Sequence, residues 1–109
     1  MKKTALITLI VIAAGLSTTS RAADAQETWE KTCVKCHGAD GKGETKLGKK
    51  AGVKDFTDAK IQESFDDAKA TKAIKEGVKD GEKVLMKPVE DASDDVIKEL
   101  VKKVRSFKK

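Results

Sequence analysis

The 109-residue sequence is poor in the residue types that usually build metal sites and aromatic cores. It has one histidine, two cysteines, one proline, one tryptophan, three phenylalanines and no tyrosine. A structural zinc site takes about four protein ligands, and three Cys and His residues are too few for one. A small domain with so few aromatic side chains has a thin core, and such domains often depend on a disulfide, a metal or a cofactor.

The sequence also lacks a strong excess of charge of one sign. It contains 23 Lys and Arg residues against 18 Asp and Glu residues, and the two signs are mixed along the chain. Residues 1–22 include Lys2, Lys3 and Arg21 and no acidic residue, so the remainder has 20 basic against 18 acidic residues, a net charge of +2. This balance indicates a solvated surface and excludes the basic pattern of a nucleic-acid-binding domain.

Only one long apolar run is present, Ala5 to Leu16, interrupted by Thr8 and preceded by Lys2 and Lys3. As a helix this run would be roughly 18 Å long, which is short against a hydrocarbon core of about 30 Å. Small residues follow it. We therefore predict a signal peptide over 1–22, with cleavage as late as residue 25, and a single exported domain over 23–109. An uncleaved membrane anchor is the alternative.

Both cysteines and the histidine lie in one pentapeptide, Cys33-Val34-Lys35-Cys36-His37. The C-x-x-C-H spacing is typical of c-type haem attachment. Two thiols three residues apart can add to the two haem vinyl groups, and the next residue brings an imidazole to the iron. A thioredoxin-like motif needs a βαβ context, and no strand pattern is evident. A structural disulfide leaves His37 without a role.

The pentapeptide therefore predicts one covalent haem c on Cys33 and Cys36, with His37 as an axial ligand. Attachment of this cofactor outside the cytoplasm predicts a periplasmic protein, with a thylakoid lumen as the alternative. Met86 is the one methionine besides Met1, and no second histidine exists. It is the soft ligand available for the second axial position, with lysine or water as alternatives.

Helical patterns dominate the rest of the chain. We expect helices over 24–35, with Ala25, Trp29 and Cys33 on one face, over 59–64, and from Phe65 to a cap at Gly77. The expected N-caps are Thr57 or Asp58 for the second helix and Ser64 for the third. Residues 38–52 contain five glycines and predict a loop along the haem edge, whose carbonyls would accept the Nδ1 hydrogen of His37.

Residues 79–83 predict a turn, and Pro88 keeps the segment around Met86 out of a helix. The last helix is the clearest. Ser93 is its expected cap, and acidic residues begin it while basic residues end it. Its buried face has helical spacing, with Val96, Ile97, Leu100, Val101, Val104 and Phe107 or Lys108.

A helix ending in C-x-x-C-H, a glycine-rich loop, Met86-Lys-Pro88 and the final Val101-Lys-Lys-Val-Arg-Ser-Phe107 together resemble a small bacterial class I cytochrome c. The resemblance implies an all-α fold in which the N- and C-terminal helices cross around one covalently attached haem. It also implies His37 and Met86 as axial ligands. The sequence differs from the residues common in the family at two positions of the helix crossing, Ala25 and Lys103, where Phe107 is a substitute. It also differs at Lys46, beside the proximal imidazole.

We therefore predict a periplasmic, monomeric, monohaem electron carrier with His37 and Met86 on the iron. It would not be an enzyme and would not insert stably into a membrane or bind nucleic acid. Its partners would be a donor and an acceptor redox protein that meet it weakly at the haem edge. A haem c subunit held in an oxidase or dehydrogenase complex is the alternative, and an enzyme that opens its iron by losing Met86 is a third class.

Overall fold

The computed structural model describes the backbone of residues 18–109 and the side chains of residues 21–109. The basic start and the apolar run of the predicted signal peptide lie outside these residues. The described chain is mostly helical, which supports the predicted all-α class in outline, and one two-stranded sheet is added to the helices. The elements are helix α1 (Thr18–Thr28), a π-helical segment (Trp29–Cys33), α2 (Val34–His37), α3 (Lys46–Ala51), α4 (Ala59–Glu63), α5 (Asp67–Glu76), strands β1 (Val78–Asp80) and β2 (Lys83–Met86), and α6 (Asp94–Ser106).

The first helix is longer than predicted and runs without a break from Thr18 to His37. Between α1 and α2 the Val34 N–H bonds to the carbonyl of Trp29, the i to i+5 bond of a π-helix. The predicted buried face is confirmed: Ala25 and Trp29 are each 3 % exposed and Cys33 is 9 % exposed. This face carries the helix against the core.

Helix α6 forms as predicted and supplies much of the core. The Ser93 side chain accepts a hydrogen bond from the Val96 N–H at 3.3 Å, and two aspartates occupy the first turn, where the helix dipole favours them. The predicted apolar face is buried over its first five positions, and Phe107 is half-buried while Lys108 is exposed. The buried residues are Val96, Ile97, Leu100, Val101 and Val104.

Helices α1 and α6 pack against each other, as the expected crossing of terminal helices requires. At the crossing, Lys103 does not disturb the packing, because its Nζ lies 5.8 Å from the centre of the Trp29 ring, on the face of an aromatic system. The Phe107 ring also packs on Trp29, with 5.2 Å between ring centres. An ion pair of 2.9 Å between Arg21 and Asp95 joins the same two helices at the surface.

The glycine-rich stretch is not wholly a loop, which corrects the prediction. Helix α3 lies inside it and includes Gly48. Thr45 caps this helix by accepting a hydrogen bond from the Gly48 N–H at 2.9 Å. A Cβ on Gly48 would overlap the carbonyl oxygen of Cys36, so glycine here permits close packing of α3 on α2 and does not interrupt the helix.

The two middle helices begin at aspartates. Asp58 caps α4, as predicted, and accepts from the Lys60 N–H at 2.8 Å. The predicted cap of α5 at Ser64 is wrong: Asp66 is the N-cap and accepts from the Lys69 N–H at 2.7 Å, while the Ser64 hydroxyl donates back to the Ile61 carbonyl. The predicted C-cap at Gly77 is confirmed.

The predicted turn over residues 79–83 is the end of a β-hairpin that the sequence patterns did not reveal. Strand β1 pairs antiparallel with β2, and Val78 lies opposite Met86. The strands have three and four residues, too short for a reliable alternating pattern, and an isolated hairpin of this size is marginal in water. The hairpin delivers Met86 to the cavity described next.

Candidate haem site

An apolar cavity of ≈ 360 Å³ opens between the first helix, the 51–56 segment, α5, the hairpin and α6. Elements from both ends of the chain form its walls. The larger apolar side chains around it include Phe56, Phe65, Ile74, Leu85, Leu100 and Val104. The mostly apolar lining suits an apolar ligand.

Three of the four sequence-predicted site residues line this cavity: Cys33, His37 and Met86. Cys33 and His37 come from the π-helical segment and α2, and Met86 comes from the end of β2, on a different part of the chain. Cys36 is half-buried and stands outside the set of lining residues. It lies one helical turn beyond Cys33, between that residue and His37.

The Cys33 thiol is buried in the cavity wall. Burial raises the pKa of this thiol to about 11, and the nearby Cys36 thiol adds to the rise. No disulfide joins Cys33 and Cys36. Within residues 21–109 no group of three or more His, Cys, Asp or Glu side chains could hold a metal ion.

The His37 ring lies between two aromatic rings. Its centre is 4.9 Å from that of Phe56, nearly parallel at 19°, and 5.9 Å from that of Trp29. Burial lowers the pKa of His37, which favours the neutral imidazole, the form that binds a metal. Phe56 therefore packs on one face of the His37 imidazole, the predicted axial ligand.

The segment after the pentapeptide holds α2 through its backbone and not through the imidazole. The Gly43 N–H donates to the His37 carbonyl at 2.8 Å. The Thr45 hydroxyl lies 2.7 Å from the Lys35 carbonyl oxygen and 3.0 Å from that of Cys36. The expected hydrogen bond from His37 Nδ1–H to a loop carbonyl is not formed, because the loop turns its N–H groups and hydroxyl toward the end of α2.

Met86 is half-buried and reaches the cavity because the backbone around it is held tightly. Gly77 has φ +77°, and a Cβ there would lie 2.5 Å from the Met86 carbonyl oxygen. Beyond Pro88, the Val89 N–H donates to the Ile74 carbonyl at 2.8 Å. The Met86 backbone thus packs closely on Gly77 at the end of α5, and the chain beyond Pro88 is hydrogen-bonded to α5.

Two buried nitrogen atoms at this cavity have no hydrogen-bond partner among the described residues: Trp29 Nε1 and His37 Nδ1. Buried polar atoms are normally paired, so unpaired ones beside an apolar cavity indicate a ligand site. A cavity with the Cys33 thiol, an imidazole and a thioether on its walls, and with the Cys36 thiol just outside its lining, fits a covalently held haem. None of the described helices is long and apolar enough to cross a membrane.

Sequence reasoning missed four residues that shape the site: Phe56, Phe65, Gln62 and Arg105. The two phenylalanines line the cavity, and the two polar residues hold the backbone of both phenylalanines. The scarcity of aromatic residues marked the phenylalanines as noteworthy. No local signal marks Gln62 or Arg105, because each acts on chain that is distant in sequence.

A model of the family described as "Cytochrome C oxidase, cbb3-type, subunit III" matches residues 20–102 of the chain. The chain belongs to this family of c-type cytochromes. It is a class I, monohaem cytochrome c-like protein, and its haem c is covalently bound. Proteins of this kind are generally electron carriers and exchange electrons with redox partners.

One similar solved structure is described as "KustC0563 c-type cytochrome". It is 32% identical in sequence, with a TM-score of 0.66, and the alignment covers 78% of this chain and 98% of that chain. No curated protein shows significant similarity to the chain. The cytochrome c fold expected from the resemblance is thus supported, with the hairpin as the departure.

Proposed function

We propose that this cytochrome is a periplasmic, monomeric electron carrier whose haem is attached to Cys33 and Cys36 and ligated by His37 and Met86. The observation that supports this most directly is that Cys33, His37 and Met86, from separate elements, line one apolar cavity. One histidine and one methionine besides Met1 match the two axial positions of a haem iron. When bound, the haem supplies a one-electron ferric/ferrous couple.

The chain's own residues would give that couple the properties of a carrier. The close packing of Met86 on Gly77 and the hydrogen bond from Val89 to Ile74 would keep the thioether in place in both oxidation states, which limits reorganisation. A thioether ligand favours the ferrous state and raises the potential. The apolar walls would exclude water and substrates, so we propose no catalytic residue.

Partners would meet the protein weakly, as electron-transfer complexes do. Lys35 and Lys87 are exposed and Lys42 is half-buried, and all three lie close in sequence to the proposed haem ligands. Their positive charges would steer an acidic donor or acceptor. High salt should therefore slow the bimolecular electron exchange.

The description of the matching family favours one second candidate, a haem c subunit held in an oxidase complex. Size-exclusion chromatography of a gently solubilised native extract separates the two. A carrier elutes with the haem at the size of the monomer, and a subunit elutes with an oxidase. Elution only with a large complex would replace the carrier proposal by the subunit.

The ligand assignment is tested with Met86→His and Met86→Ala in the purified holoprotein. Met86→His should keep six-coordinate iron but lower the potential, because imidazole stabilises ferric iron better than a thioether does. Met86→Ala should lower the potential, permit cyanide or carbon monoxide binding and slow electron exchange. A redox titration and the weak near-infrared charge-transfer band of ferric Met-ligated haem are the measurements.

Val84→Ala is the matched control, since Val84 lies on the same strand but is exposed and does not line the cavity. It should retain the wild-type band and potential. A wild-type protein without the near-infrared band, or an unchanged potential in Met86→Ala, would remove Met86 from the iron and move an enzyme or sensor role ahead of the carrier.

A further inference from the structure

Gln62 is the buried polar side chain of the described core, with 4 % of its surface exposed. Its side-chain Nε2 donates to the Phe56 carbonyl at 2.7 Å and to the Val104 carbonyl at 2.8 Å. Both amide hydrogens are therefore used. Val104 lies in the last turn of α6, so Gln62 satisfies one helix-end carbonyl and ties it to the chain that carries Phe56.

Arg105 completes the connection from the α6 side. Its Nη1 donates to the Gln62 backbone carbonyl at 2.5 Å and to the Gln62 Oε1 at 3.0 Å. Its Nη2 donates to the Phe65 carbonyl at 2.9 Å, and its Nε pairs with Asp67 at 2.9 Å. The guanidinium also lies 4.5 Å from the centre of the Phe65 ring. We call Gln62 and Arg105 with these contacts the Gln62–Arg105 network.

The network binds the backbone carbonyls of Phe56 and Phe65, and the side chains of these two residues line the haem cavity. Phe56 lines the cavity and stacks on His37 at 4.9 Å. Phe65 lines it too, and its ring is 6.1 Å from that of Phe56. The Phe56 N–H also donates to the Gly41 carbonyl at 2.9 Å. Both the N–H and the carbonyl of Phe56 are therefore hydrogen-bonded.

We propose that Gln62 and Arg105 are positioning residues that set the orientation of the His37 imidazole in the haem site through Phe56 and Phe65. This proposal rests on the proposed role of His37 as an axial ligand. An exposed ion pair contributes little, and the side chain of Asp67 is 73% exposed. The effect of Arg105 should therefore come from its bonds to the Gln62 and Phe65 carbonyls and not from Asp67.

The test compares Gln62→Met, Arg105→Lys and Phe56→Leu with wild type as purified ferric and ferrous holoproteins. Gln62→Met keeps the side-chain length but removes both donors. Arg105→Lys keeps the charge but loses the planar set of donors that reaches several acceptors at once. Asp67→Asn is the matched control, since it weakens the exposed ion pair and leaves the three carbonyl contacts. The measurements are the low-spin g values in electron paramagnetic resonance, the reduction potential and the thermal midpoint.

We expect the first three variants to shift the g values and the potential, because the imidazole rotates when Phe56 moves, and we expect Asp67→Asn to match wild type. A lower thermal midpoint with wild-type g values and potential would overturn the proposal and leave the network a purely structural role. If Gln62→Met does not accumulate as holoprotein, Arg105→Lys and Phe56→Leu decide the matter by the same criterion. A wild-type spectrum without axial imidazole would instead contradict the proposed function itself.

Discussion

At the scale of single residues, the two cysteines differ in their surroundings although they share one motif. Cys33 is buried in the cavity wall and its thiol pKa is raised to about 11 by burial, whereas Cys36 is half-buried. A buried neutral thiol is a poor nucleophile unless it is activated. Attachment at Cys33 is therefore expected to take place before the chain has folded around this thiol.

Each cysteine should contribute one thioether bond to the haem. Cys33→Ala or Cys36→Ala should leave at most one bond and little mature holoprotein, because one anchor holds the haem less securely during folding. Intact mass after extraction in acid and organic solvent measures the haem that remains attached. Thr32→Ala, an exposed neighbour outside the cavity lining, should retain full attachment. Haem retained by the double Cys→Ala variant would refute covalent attachment at this motif.

At the scale of elements, α6 depends on its N-terminal cap. Ser93→Ala removes the acceptor for the Val96 N–H and should lower the free energy of unfolding by about 1 kcal/mol, within a usual range of about 0.5–2 kcal/mol. Denaturant unfolding of the holoprotein in one oxidation state is the measurement. Ser106→Ala, at the exposed end of the same helix, should stay within about 0.5 kcal/mol of wild type. Equal losses in both variants would show that the cap does not hold α6.

The hairpin shows how an element too weak to form alone becomes part of the site. Its strands are short, and their exposed face includes Val84. The close approach of Gly77 to the Met86 carbonyl and the hydrogen bond from Val89 to α5 give the second strand a fixed place. Met86 therefore reaches the cavity through contacts with α5, and not through the stability of the hairpin itself.

At the scale of the whole molecule, the cavity occupies the position of the central core side chains in a domain without a cofactor. Its walls come from most of the elements, so without haem their apolar surfaces lose a common partner. We predict that the mature apoprotein is largely unstructured. Far-ultraviolet circular dichroism is the measurement, and a native-like helical spectrum with a cooperative thermal transition would contradict the prediction.

Export is predicted to remove residues 1–22. Cleavage after Ala22 would leave 87 residues and remove Arg21, whose ion pair with Asp95 is exposed on both sides and should contribute only about 0–1 kcal/mol. Intact mass of the haem protein from a periplasmic fraction should match residues 23–109 plus one haem, or a start as late as residue 26. Leu9→Arg, which breaks the apolar run, should block export, and a full-length holoprotein in membranes would favour an uncleaved anchor.

The sequence by itself determined the features that rest on residues close together in the chain. The C-x-x-C-H motif, the face formed by Ala25, Trp29 and Cys33, and the start of α6 at Ser93 all follow from spacing or capping within a few residues. The sequence did not predict helix α3, because the glycine-rich composition of its segment disfavours a helix. Its glycine is required by the neighbouring Cys36 carbonyl, a contact that composition does not reveal.

The tertiary structure alone decided which distant residues meet. Gln62 and Arg105 bond to each other across the fold, and Phe56 stacks on a histidine from the first helix. No local pattern encodes such contacts, because their geometry depends on how α4, α5 and α6 pack together. Sequence predicted which residues could hold the haem, and the packing of separate elements brought Cys33, His37 and Met86 to one cavity.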